Sequence, residues 1–325
     1  MNYEQFFIPL YPKRGNITHI RNSKSRKRKS LVFLAALLIT AQTAWAQVTV
    51  TTVDGLLEAV KTSQTITLGA DITTLSSGGR LDINNGITVT LDLNGHTLKR
   101  EMTAVHPGGQ AIIVNEGGNL TIMDSGSGGT ITGGWANGGG IYVREGGVLT
   151  ITGGTISGNT ATDGGGICNE GTATIKGVTI SGNTVSSDGG GIGVWGTANG
   201  SVVLTDVTIT DNTAQANGGG ISLFKPEAQN CTVELKGACT ITGNTATLFG
   251  GGIYHHGFGT YRPGPTLKMQ ETPVVQDNTP PTYILAATSS LPSRMPSPLT
   301  PMSACTVPTR RRRCSLRAIR PATAT

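Results

Sequence analysis

Few side chains in this sequence have the type and spacing to do chemistry, and they fall into two sets. The first is a scatter of acids: Asp163, Glu170, Asp188, Asp206 and Asp211. Hydrolysis of a glycosidic bond needs two carboxyl groups facing each other across it, roughly 5–9.5 Å apart. Asp163 and Asp188 each stand immediately before a Gly-Gly-Gly-Ile string, so they are expected to stack about one structural repeat apart. That spacing could hold a cation such as Ca, but no specific motif supports one, and a turn aspartate is more commonly solvated. Asp206 and Asp211 flank Ile209 and have no evident partner base. The second set is Tyr254, His255, His256, Tyr261 and Arg262. Adjacent residues on a strand point to opposite faces, so His255 and His256 do not form one metal site. Tyr254, Tyr261 and Arg262 make the best combination for stacking on a sugar and are the candidate ligand-binding residues. An insertion around Phe224 to Asn230 reads as a protruding loop, and loops on rigid scaffolds often carry function. No catalytic residue, metal or cofactor is assigned.

These side chains are positioned by a repeat. Gly-Gly-Gly-Ile begins at Gly138, Gly164, Gly189, Gly218 and Gly250. A second string, (Ser/Thr)-(Gly/Asp)-Asn-Thr, begins at Ser157, Ser181, Thr210 and Thr242, with a weaker echo at Gln276. Both recur every 24 to 34 residues, which signals a solenoid whose repeats bury their apolar faces by stacking on one another. The glycine triplets recur as turns and open no helix, so they are not a nucleotide-binding pattern.

One repeat, Gly140 to Asn159, shows how a coil is built. Ile141 and Val143 alternate with Tyr142, Leu149 and Ile151 alternate with Thr150 and Thr152, and Thr155-Ile156-Ser157 follows a glycine pair. Period-2 alternation rich in Thr, Ile and Val and broken by glycines reads as strands. Three short strands in about 25 residues predict a three-sided coil, repeated about eight times over 65–279. The next repeats keep the pattern with Ile167, Ala173, Ile175, Val178 and Ile180, then with Ile192, Val194, Val202, Leu204, Val207 and Ile209. Asn159, Asn183, Asn212 and Asn244, followed by Asn278 in the weaker echo, fall at one corner of every coil. They are expected to form a structural ladder that passes side-chain hydrogen bonds from coil to coil. Residues 47–64 read as an N-terminal cap, with Asp54 capping a short helix that carries Leu56, Leu57, Ala59 and Val60.

The ends differ from the repeat. Lys24 to Lys29 is strongly basic, Leu31 to Thr40 is apolar, and Ala44-Trp45-Ala46 offers small residues before Gln47. These are the parts of a secretory signal peptide with a long n-region, spanning 1–46 and cleaved after Ala46. The apolar run is shorter than the roughly 20 residues a membrane span needs, so no retained transmembrane helix is expected. Export through the Sec pathway places the protein outside the cell, secreted or on the surface. From Pro280 to Thr325 there is no Gly, Asp, Glu, Asn or Lys, and Arg310 to Arg313 form a charge run. This segment is expected to be a disordered basic tail or an out-of-frame translation. The whole chain carries +6, but residues 47–279 hold 10 Lys or Arg against 18 Asp or Glu, a balance of −8. An acidic folded region repels phosphates, so nucleic acid is not an expected partner. Cys231 and Cys239 lie at the ends of an alternating strand, too far apart for a disulfide with each other.

With these motifs in hand, the sequence resembles the right-handed parallel β-helix repeat proteins of bacterial surfaces, including adhesin-like proteins and the passenger domains of polymorphic outer-membrane proteins. The resemblance rests on Gly139-Gly140-Ile141, on Ile156-Ser157-Gly158-Asn159, and on the opening run Val89 to Leu98, and it covers Val48 to Thr279. It implies an all-β, right-handed parallel β-helix and an exported protein that binds glycan or a host or microbial surface without catalysis. β-Helices also include polysaccharide lyases and glycoside hydrolases, so an enzyme of that class is the alternative. A lyase of this fold needs an acidic calcium cluster with a basic residue, and the paired-aspartate strings of polygalacturonases are absent here. No C-terminal membrane barrel of the autotransporter type appears in the sequence.

Overall fold

The computed structural model describes residues 47–62, 64–74, 79–104, 106–195, 200–224, 231–255, 265–280 and 283–284. The expected signal peptide and nearly all of the expected tail lie outside the described residues. Five successive coils contribute strands to sheets I to IV in that order, as Ile141–Val143, Val148–Thr152, Thr155–Ser157 and Thr160–Ala161 show for one of them. Sheets I and III have eight strands each, sheet II nine and sheet IV five, and every pairing is parallel. Sheet IV is the departure from a three-sided coil. Its strands are two residues long, too short to show a period in the sequence.

The register stacks like on like. On sheet II, Ile151 pairs with Ile122 on one side and Ile175 on the other, and Ile175 with Leu204. On sheet III, Ile156, Ile180, Ile209 and Ile241 form one column. On sheet I the column is Ile141, Ile167, Ile192, Ile221 and Ile253. All of these side chains are buried in one continuous core. Each contributes roughly 1.5–3 kcal/mol of burial before the entropy of ordering the chain is subtracted. Ala161, Val185, Ala214 and Ala246 form a separate small cluster behind sheet IV.

The N-terminal end is closed by a helix, Val53–Ala59, whose Leu56 and Ala59 are buried against the first coil. Its N-cap is Thr52 rather than Asp54: the Thr52 side chain accepts from Gly55 N, and Asp54 falls in the first turn. A carboxylate there still favours the positive end of the helix. The strand Gln47–Val50 precedes the helix and already pairs with Gln64–Leu68 on sheet II. Among the described residues, no helix is long and apolar enough to cross a membrane.

The glycine triplets follow from two demands on one turn. The first glycine, as in Gly164 at φ 61° and Gly218 at φ 64°, adopts the left-handed region. The next two lie against the adjacent coil: a Cβ on Gly219 would sit 2.5 Å from the carbonyl oxygens of Gly251 and Thr245. At another corner the asparagines are fully buried and chained together. Nδ2 of Asn159, Asn183, Asn212 and Asn244 donates to Oδ1 of the asparagine on the following coil at 2.9–3.0 Å, ending on Asn278. Each Nδ2 also donates to a core carbonyl on the preceding coil, such as Asn212 to Ile180 O at 3.0 Å.

Candidate functional site

Aromatic side chains are excluded from the narrow aliphatic core, and the structure gathers them elsewhere. Among the described residues, Tyr142, Trp195, Phe224 and Tyr254 all belong to the strands of sheet I. The outward column of that sheet runs Ile113, Tyr142, Cys168, Gly193, Ser222 and Tyr254. Several of these are buried despite facing away from the core, because the glycine turns fold back over them. A Cβ on Gly164 would lie 2.7 Å from Cys168 Cβ, and one on Gly218 would lie 2.8 Å from Ser222 Cβ.

The uncovered part is the corner where sheet I turns into sheet II. Ile83, Val114 and Val143 are in register, as are Asn169, Val194 and Leu223. The residues that follow them therefore line one edge: Asn84, Asn115, Arg144, Glu170, Trp195 and Phe224. Asn115 Nδ2 donates to Asn84 Oδ1 at 2.8 Å. The Arg144 guanidinium lies 5.9 Å from the Tyr142 ring centroid, within range of cation–π attraction. Trp195 and Phe224 pack edge to face at 4.8 Å between ring centroids. A shallow cleft of about 440 Å³ opens at the near end of this edge, walled by Asn84, Asn115, Arg144 and Glu170 together with Asn85, Glu116 and Glu145. An open, polar cleft continuing into an aromatic pair suits hydrogen bonding and stacking of an extended hydroxylated ligand.

Local electrostatics follow from burial and from Glu170. Burial pushes the Tyr142 phenol up, and the Glu170 carboxylate, its hydrogen-bond partner, adds to the shift. The Cys168 thiol is pushed up chiefly by burial, then by Glu170 and Asp163, with a hydrogen bond from Trp195 acting in the opposite direction. Tyr254 is also raised, by burial first and then by Asp188.

The five acids singled out in the sequence stand at four different corners. Glu170 is at the turn from sheet I to II, Asp206 at II to III, Asp211 at III to IV, and Asp163 and Asp188 at IV to I. Asp206 and Asp211 have φ of 55° and 56°, the left-handed values that glycine takes at Gly237 and Gly243 one coil later. Asp206 Oδ1 accepts from Ala238 N at 2.9 Å, and Asp211 accepts from the Thr210 hydroxyl at 3.0 Å. Asp163 and Asp188 do stack, but through amides: Asp188 N donates to Asp163 Oδ1 at 3.1 Å, and Asn217 N and Nδ2 donate to Asp188 Oδ1 at 2.7 and 2.9 Å. No group of three or more His, Cys, Asp or Glu converges to hold a metal among the described residues.

Of the candidate sugar-stacking residues, Tyr254 is 7% exposed and stacks on Phe249 with ring centroids 6.4 Å apart. Tyr261 and Arg262 lie outside the described residues, as do His256 and most of the 224–230 insertion. His255 Nε2 is 2.7 Å from the Pro265 carbonyl, which ties the base of that connection. Of the residues along this edge, Glu170 was singled out in the sequence; Tyr142, Arg144, Trp195 and the other cleft residues were not. The signal available for the aromatics was that Tyr142, Trp195, Phe224 and Tyr254 each follow a glycine triplet by two to four residues, so these four must fall on one sheet.

The family model for a right handed beta helix region matches residues 85–262. No curated protein matches the chain, and no solved structure does.

Proposed function

The chain belongs to the right-handed β-helix family, and from that premise we propose that it is an exported, adhesin-like binding protein that holds glycan without catalysis. The ligand lies along the edge from the Asn84–Asn115 cleft to Trp195 and Phe224. One observation carries this reading: Tyr142, Trp195, Phe224 and Tyr254 share one sheet beside an open polar cleft, while Asp188, Asp206 and Asp211 cap turns at other corners. A hydrolase needs two carboxyl groups across one bond, and the stacked aspartates Asp163 and Asp188 each commit Oδ1 to an amide of the next coil. Export rests on the basic, apolar and small-residue segments before Gln47, and a surface or secreted location follows from it.

The test is retention and turnover measured together. Purified protein is presented with immobilised pectic, host and microbial glycans, and the bound material is recovered and sized. Binding of an intact glycan, weakened at least tenfold by Trp195→Ala, supports the reading. Shortened chains or unsaturated products would replace it with a lyase or hydrolase.

A further inference from the structure

A compact unit begins at Gln47, the residue that follows the expected cleavage after Ala46. Gln47–Val50 is the outermost strand of sheet II, paired with Gln64–Leu68. It closes this end of the rod, because Val50 is buried and Val48, in register with Ile66, packs against the core. Gln47 itself is exposed, and its Nε2 donates to Thr67 Oγ1 at 3.1 Å. Thr67 pairs with Thr49, so the Gln47 amide is drawn along the strand, away from its own backbone nitrogen.

A glutamine at a free N-terminus carries a nucleophile and an electrophile in one residue. The ordinary α-amine value is about 7.7–8.0, so part of it is unprotonated near neutral pH. Its lone pair can attack Cδ and close a five-membered lactam. The N–Cδ bond forms, the Cδ–Nε2 bond breaks, and one amine proton leaves with Nε2 as ammonia. No oxidant, reductant or second reactant is consumed.

We propose that Gln47, once freed by cleavage, closes to an N-terminal pyroglutamate, at a pace set by its hydrogen bond to Thr67. The inference rests on the export reading above and adds a modification of the exported chain. The fold accepts the ring, since the first residue of an edge strand is where sheets tolerate a cyclised backbone nitrogen. Closure removes the terminal ammonium, the group that aminopeptidases grip. Loss of this four-residue strand would strip Val48 and Val50 from the end of the core and leave Gln64–Leu68 as a bare edge.

The full chain is expressed with its leader, the exported protein is recovered, and its N-terminal peptide is weighed at intervals near neutral pH. The expected peptide begins at Gln47, becomes lighter by one ammonia and then resists aminopeptidase. In Thr67→Val the competing hydrogen bond is gone, and the ring should close up to about tenfold sooner. Gln47→Ala cannot close a ring and should lose residues from its free amine; the position is exposed, so the fold is retained. A peptide that begins at Gln47 and keeps its amide nitrogen would overturn this inference and leave export standing. An exported chain that begins elsewhere would overturn it and move the cleavage site. A chain retained in the cell with residues 1–46 attached would overturn export as well. Equal closure in Thr67→Val would overturn the part assigned to Thr67.

Discussion

Asn183 and Asn212 are joined twice: Asn183 Nδ2 and Asn183 N both donate to Asn212 Oδ1, at 2.9 and 3.1 Å. Asn212 Nδ2 in turn reaches Ile180 O, Thr210 O and Asn244 Oδ1. One side chain therefore satisfies two donors before it in the chain and shares its two amide hydrogens among three acceptors around it. Asn212→Ala leaves those buried groups unmatched, at about 1–3 kcal/mol for each that water cannot reach. The expected loss is about 3 kcal/mol or more in urea unfolding, with Asn212→Asp no better, because a carboxylate cannot donate to Asn244.

Gly219→Ala tests the close approach of neighbouring coils. Its Cβ would meet two carbonyl oxygens of the next coil at 2.5 Å, so the backbone must part there. A destabilisation of about 1–3 kcal/mol is expected. Gly177→Ala tests a different demand, since its φ is 60° but nothing lies within 4 Å of a Cβ there. Its cost comes from φ alone, and about 1 kcal/mol is expected. Equal losses at the two sites would remove the steric argument.

The Tyr142 phenol ionises later in the folded protein than in the unfolded chain, through burial first and Glu170 second. An acid whose folded value is raised contributes stability that is present below the ordinary tyrosine range of about 10 and lost as pH climbs through the raised value. Tyrosinate absorbance should show late-titrating phenols, one of which disappears in Tyr142→Phe. Glu170→Gln should bring it part of the way down, since burial remains.

Cys168 should resist alkylation in the native state, because its thiol is raised by burial and only the thiolate reacts. Trp195→Ala removes a hydrogen bond that favours the thiolate and also uncovers the sulfur. Burial is the larger effect, so labelling of Cys168 should become faster. Unchanged labelling would mean that Trp195 does not shield this face.

The coil was legible because its makers recur. Ile156, Ile180 and Ile209 each sit a fixed distance before an asparagine, and all three lie in the core. Thr52 was passed over as the helix cap because Asp54, two residues on, is also a good capping type. Sheet IV was invisible because Thr160–Ala161 has no room for a period. The edge from Asn84 to Phe224 was hidden for another reason. Its members come from six coils and differ in type, so no repeat marks them. Their alignment also depends on turn lengths: Arg144 to Gly147 separates sheets I and II in one coil, but only Glu170 and Gly171 in the next. The acids Asp206 and Asp211 attracted attention as chemistry, whereas the backbone uses them where it otherwise uses glycine.

The asparagine chain has a direction, since each amide closes on its successor and none on its predecessor's oxygen. A whole coil can therefore be duplicated or lost in evolution and the ladder simply rejoins, asparagine to asparagine. Removal of part of a coil strands two donors in the interior. Length in such a chain is inherited in steps, and any change of reach at the binding edge arrives one coil at a time.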